Sequence, residues 1–177
     1  MSSAREWFQQ ASKEGFAIGA FNVDNMDIFK AVCIAGKNKK SPVMLEFSEG
    51  EVGYFGLKNI VDLVINAREE YGIPILLNLD HAKSADACIE AIEQAGFDDV
   101  HFDGSDLAYE ENVEKTKKVV DSAHKKGLLV EGEIDKIAGS SEVHEEELDI
   151  KLLKEFYRKL ATQIQFLKQR RKQIHPL

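Results

Sequence analysis

Residues 76–86 read LLNLDHAKSAD. A short apolar run ends abruptly in Asp80 and His81, and Ser84 then opens a helical pattern. Neighbouring residues on an extended strand point to opposite faces, so both side chains reach one rim only where the backbone turns. A carboxylate beside an imidazole suits proton transfer and metal binding. The competing local reading is a helix-capping Asp beside a surface His.

Similar runs lie on either side. AIGAFNV (17–23), PVMLEFS (42–48), PILLNL (74–79), DVHFDG (99–104) and GLLVEGEI (127–134) read as strands. Between them, Met26–Lys39, Leu57–Tyr71, Ala85–Ala95 and Glu110–Lys126 carry helical spacing, and Ala4–Glu14 precedes the first strand. Gly72, Gly96 and Gly127 each stand between a helix and a strand, the place of a left-handed C-cap. Ser84 and Asp106 are positioned to cap the helices that follow them.

Strand–helix alternation with short joints predicts a parallel sheet covered by helices. Asn22, Ser48, Asp80 with His81, Asp103 and Glu133 all fall at or just past the end of a strand. A doubly wound sheet collects its ligand at one switch point. A barrel collects residues from nearly every strand at its C-terminal face. Five successive contributions therefore favour a partial TIM (β/α)8 barrel of five parallel strands with surrounding helices.

Beyond GEIDKIAGSSEVHEEE the pattern changes. Residues 148–177 carry eight Lys/Arg and two Asp/Glu, a balance of +6, which leaves −14 of the net charge of −8 on residues 1–147. Leu148, Leu152, Phe156, Leu160, Ile164 and Leu167 form one stripe at helical spacing, so a C-terminal amphipathic helix is expected. The reading divides the chain into a barrel part, 1–147, and a basic helical tail, 148–177.

The 177 residues suffice for one domain with a sizeable core. No apolar run nears the ~20 residues that span a bilayer, and MSSAREWFQQ lacks the pattern of a secretory signal. With Cys33 and Cys88 as the two cysteines, a cytoplasmic location without disulfides is expected. The acidic body argues against nucleic-acid binding, and KQRRKQ lacks interleaved aromatics.

Individually, Asp103 reads as an Asx turn with Gly104 or as a site residue. Glu131 and Glu133 share one face of their strand, where buried carboxylates need a metal, a cation or donors. Asn22 and Ser48 are neutral hydrogen-bonding groups or turn residues. His101, mid-strand, reads as a satisfied core or helix-facing histidine. CxxC spacing, a GxxxxGK[ST] loop and a GxGxxG turn are absent from the sequence.

GAFNVDNMD, SPVMLEFSEG, LNLDHAKSAD, AGFDDVHFDGSDLAYEENVEKTKKVVDSAH and GLLVEGEI, in this order and spacing, resemble the class II, zinc-dependent fructose-bisphosphate and tagatose-bisphosphate aldolases over residues 1–147. The resemblance implies a TIM barrel. It implies cleavage of a ketose 1,6-bisphosphate, foremost fructose 1,6-bisphosphate, to dihydroxyacetone phosphate and glyceraldehyde 3-phosphate through a Zn(2+)-stabilised enediolate. It makes Asp80 the proton-transferring carboxylate and His81 one of three zinc histidines. Asp103 and Glu133 become second-metal residues, and Asn22 and Ser48 substrate residues. It further implies a phosphorylated sugar as partner and a homo-oligomer. The family's two other zinc histidines and its phosphate loops have no match here, Asn78 replaces a common His, and Asp135 stands where a Gly is usual. Glu142 loosely matches the carboxylate that deprotonates the ketone substrate. Impaired activity of this chain is therefore expected, and the alternative is an inactive remnant serving as an interaction or structural module.

Overall fold

The alternation of strand and helix signals becomes, in a computed structural model, a five-stranded sheet flanked by helices. The structure describes residues 3–94, 96–134 and 150–160. The strands are β1 (Gly19–Asn22), β2 (Val43–Ser48), β3 (Ile75–Ala82), β4 (Asp99–Asp103) and β5 (Leu129–Glu133). They lie in chain order, and each pairs with the next in parallel. The helices are α1 (Ala4–Glu14), α2 (Met26–Lys39), α3 (Glu49–Phe55), α4 (Leu57–Tyr71), α5 (Ala85–Gln94), α6 (Tyr109–Lys125) and α7 (Ile150–Leu160). Sequential order with a helix at every crossover is the arrangement of a partial (β/α)8 barrel.

The two faces of the sheet differ sharply. Val43, Leu45 and Phe47 of β2, Ile75, Leu77 and Leu79 of β3, and Val100 and Phe102 of β4 point outward into a core shared with the helices. The alternate residues point inward. At the foot of the inner face Met44 and Leu76 pack with Ala4, and Trp7 and Phe8 of α1 close that end. Above this apolar floor the inner wall turns polar, with Glu46, Asn78 and Asp99 paired across β2, β3 and β4.

Local chemistry sets the ends of the elements. Gly72, Gly96 and Gly127 have φ of 66°, 111° and 77°, the left-handed backbone expected of them. Ser84 Oγ accepts from the backbone N–H groups of Asp86 and Ala87, as a cap does. Asp106 does not cap α6, contrary to expectation. Residue Ala108 is the N-cap without a side-chain bond, and the Asp106 carboxylate lies 3.2 Å from Lys83 Nζ instead. Helix α3 was not anticipated; Ser48 and Glu51 form a capping box at its start.

Helix α7 packs beside α6. Phe156 and Leu160, two members of the tail's apolar stripe, are buried. The Phe156 ring lies 6.2 Å from that of Tyr109. Lys159 Nζ sits 2.8 Å from Glu110 and 4.7 Å above the Tyr109 ring. Leu148, Ile164 and Leu167 of the stripe lie outside the described residues, as do Asp135 and Glu142. No helix among the described residues is long and apolar enough to cross a membrane.

Candidate metal and active site

Strand β3 runs past Leu79 to Ala82, and its pairing with β4 shifts between these two residues. Within this irregularity His81 has φ of 47°, left-handed backbone for a residue with a Cβ. The conformation costs roughly 1–2 kcal/mol. In return, Asp80 and His81 escape strict alternation and both reach the inner rim.

There they meet residues from three other strands. Asn22 Nδ2 donates to Asp80 Oδ2 at 2.8 Å. The other oxygen of Asp80 lies 3.3 Å from His101 Nδ1. His81 Nδ1 lies 3.0 Å from Asp103 Oδ2 and 3.2 Å from Glu133 Oε2. His101 Nε2 lies 3.4 Å from the same oxygen, Glu133 Oε2. The two imidazole rings are 4.3 Å apart, centroid to centroid. Lys83 Nζ approaches Asp103 Oδ2 at 2.7 Å.

Asp80, His81, Asp103, Glu133 and Asn22 converge. Asp103 also makes its Asx-type turn, its Oδ1 accepting from the backbone N–H and hydroxyl of Ser105. Ser48 pairs with Asp80 across β2 and β3, but its hydroxyl is engaged by Glu51 in the α3 capping box. His101 corrects the sequence reading. It faces neither the helices nor the apolar core, because Val100 and Phe102 on either side take the outward positions. That alternation within DVHFD was the signal that could have placed it. Lys83 is a second residue the sequence reading passed over.

Electrostatics follow from this crowding. Burial works against ionisation of Asp103, yet hydrogen bonds from Lys83, Ser105 and His81 hold its carboxylate well below the usual range. Asp80 is also lowered: burial opposes the charge, and the bonds from His101 and Asn22 outweigh it. Glu133 is raised, first by burial and then by Asp103. Burial disfavours His101 as a cation, but Asp80, Glu131 and Glu133 together raise its pKa. Deeper in the wall, burial and then Glu131 push Asp99 up to about 8.

The donor set suits a divalent cation. Two groups bring their ligand atoms within 4.8 Å of one another, Asp80 with His81 and His101, and His81 with Asp103 and Glu133. Glu133 Oε2 is buried without a hydrogen-bond partner. Buried carboxylate oxygens left in that state are costly unless a cation reaches them. Mixed imidazole and carboxylate ligands match zinc or a similar metal.

Fold and site together define a partial (β/α)8 barrel whose rim, at the C-terminal ends of the strands, gathers imidazole and carboxylate groups that could hold a metal ion. The chain belongs to the class II fructose-bisphosphate aldolase family, whose model matches residues 2–168. That match runs past residue 147, and so does the packing of α7. A fructose-bisphosphate aldolase of Helicobacter pylori is 40% identical over 131 residues, covering 73% of this chain and 42% of that protein. A probable fructose-bisphosphate aldolase of Bacillus subtilis is 39% identical over 143 residues, covering 79% and 50%. The chain therefore spans about half the length of the curated relatives it matches. Among solved structures, the YdjI aldolase of Escherichia coli K12 superposes with a TM-score of 0.74 at 26% identity, covering 90% of this chain and 57% of that one. The fructose-bisphosphate aldolase of Campylobacter jejuni gives 0.75 at 26% identity, covering 89% and 53%.

Proposed function

We propose that this rim performs metal-assisted retro-aldol cleavage of a ketose 1,6-bisphosphate, with fructose 1,6-bisphosphate as the first substrate to test. The observation that carries the reading is the placement of Asp80. Its carboxylate is buried at the rim, held on one side by Asn22 and on the other by His101, and it adjoins a set of metal-ligating side chains.

Cleavage requires a base for the C4 hydroxyl proton. Asp80 is kept ionised by its two hydrogen bonds and so can take that proton, and return it in the condensation direction. Asn22 fixes the orientation of the carboxylate and keeps one amide oxygen for the substrate. His81, Asp103 and Glu133 would hold zinc, which when bound supplies Lewis-acid polarisation of the substrate ketone. Lys83 neutralises Asp103, which limits the negative charge facing an anionic sugar phosphate. Ser48 stands one strand from Asp80 and is proposed to contact substrate once its cap to Glu51 loosens. The products are dihydroxyacetone phosphate and glyceraldehyde 3-phosphate. We further propose a cytoplasmic homo-oligomer.

A coupled assay for triose phosphate release, on chain loaded with Zn(2+) and on chain treated with chelator, tests the reading. Metal-dependent cleavage that falls at least a hundredfold in Asp80→Asn is the expected result. Cleavage indifferent to both chelator and Asp80→Asn would overturn it.

A further inference from the structure

The least explained atoms of the site belong to His101 and Glu133. His101 is 4% exposed, on the inner face of β4. Its Nε2 and Glu133 Oε2 face each other at 3.4 Å, both buried, and neither has a hydrogen-bond partner. The other ring nitrogen is provided for: Nδ1 lies 3.3 Å from Asp80 Oδ1 and 3.4 Å from the backbone N–H of His81. An imidazole whose one nitrogen addresses a carboxylate while the other lies beside a second carboxylate's oxygen without a hydrogen bond to it has the form of a metal-bound histidine with its supporting carboxylate.

We infer that His101 is itself a metal ligand in this chain, binding through Nε2 beside His81 and Glu133. The inference rests on the reading of the rim as a metal centre and puts His101 in the place which that reading gives to Asp103. Two of the three separations in this set agree with it. Ligands at 2.0–2.1 Å around a tetrahedral ion sit about 3.3–3.4 Å from one another. His81 Nδ1 and His101 Nε2 lie 3.2 and 3.4 Å from Glu133 Oε2. Glu133 rather than Asp103 is the central carboxylate, since the two oxygens of Asp103 are occupied by Lys83 and Ser105. Two imidazoles and a carboxylate form a three-ligand set with an open position, the requirement of a catalytic zinc site. This chain thereby supplies from β4 a histidine that its resemblance to the family does not assign.

Titration of the full chain with Co(2+), read by its visible d–d absorption, tests the ligand set. Wild type is expected to bind one equivalent, and His101→Gln to bind at least tenfold more weakly. His101→Cys provides a signature that a purely structural residue would not give, a thiolate-to-cobalt charge-transfer band. Cys33 and Cys88 are buried away from the rim in the helix-packed core, so the wild type is expected to show no such band. Should His101→Gln fail to fold, as judged by circular dichroism, the His101→Cys spectrum decides. If His81→Gln abolishes binding while His101→Gln binds as wild type, or folded His101→Cys binds Co(2+) without the band, the assignment of His101 is overturned and the metal centre stands. If wild type binds no Co(2+), the metal centre itself falls, and the assignment with it.

Discussion

Asn22 and Asp80 are 58 residues apart in sequence and joined by a 2.8 Å hydrogen bond that spans β1 and β3 across the rim. Asn22 belongs to a strand whose residues are all exposed, so little else fixes the carboxylate from that side. Asn22→Ala is expected to lower the cleavage rate constant roughly 10–100-fold by letting Asp80 turn away. KM for the sugar bisphosphate should change less than the rate constant. Steady-state kinetics on the metal-loaded chain checks both.

The left-handed backbone at His81 exchanges stability for placement. Lys40 adopts the same region, φ 51°, at the C-cap of α2, where its side chain serves no site. Lys40→Gly is expected to stabilise the fold by about 0.5–1 kcal/mol. His81→Gly should match or approach that gain while abolishing metal binding. Denaturant melts of the two variants, paired with metal titration, separate the strain from the chemistry.

Asn112 holds the end of β5. It is 2% exposed, its Nδ2 donates to the carbonyl of Glu133 at 2.8 Å, and its Oδ1 accepts from Thr116. Gly104 leaves the room it needs, since a Cβ there would sit 2.2 Å from Asn112 Oδ1. Asn112→Ala strands a buried carbonyl and hydroxyl, and is expected to cost about 1–3 kcal/mol in thermal or urea unfolding. Gly104→Ala should displace the same side chain and weaken metal binding through Glu133.

The cysteines give a pH test. Burial, and then Glu70, pushes the Cys33 thiol from 9.0 up to about 11, and burial, then Glu49, pushes Cys88 from 9.0 up to about 12. Both thiols stay protonated in the fold while the unfolded chain would release its protons above pH 9. Their contribution to stability is therefore complete below pH 9 and is lost as pH rises toward 11–12. Alkylation at pH 8 is expected to be slow in the native protein and fast in denaturant, measured by mass spectrometry.

The helices were legible because their apolar spacing and glycine stops agree. Met26–Lys39 and Leu57–Tyr71 were read with the bounds they have, and the order of strands followed from alternation. Helix α3 was hidden by two glycines in EGEVGYF, although SEGE carried the capping-box signature. The site was legible at the strand ends, where polar residues interrupt apolar runs. His101 was not, because a histidine flanked by apolar residues reads as core until the parity of its neighbours is counted. The turn at His81 was out of reach: nothing in the residue type announces positive φ near the end of a strand, and only tertiary contacts impose it.

The foot of the sheet offers something separate from the rim. Trp7 is the single tryptophan of the chain, and it lies on α1 against Met44, Leu76 and Ala4. The protein therefore contains its own fluorophore at the end opposite the chemistry. Its emission is expected to report whether the N-terminal helix is seated, since the ring packs against the floor of the sheet and not among the histidines and carboxylates above.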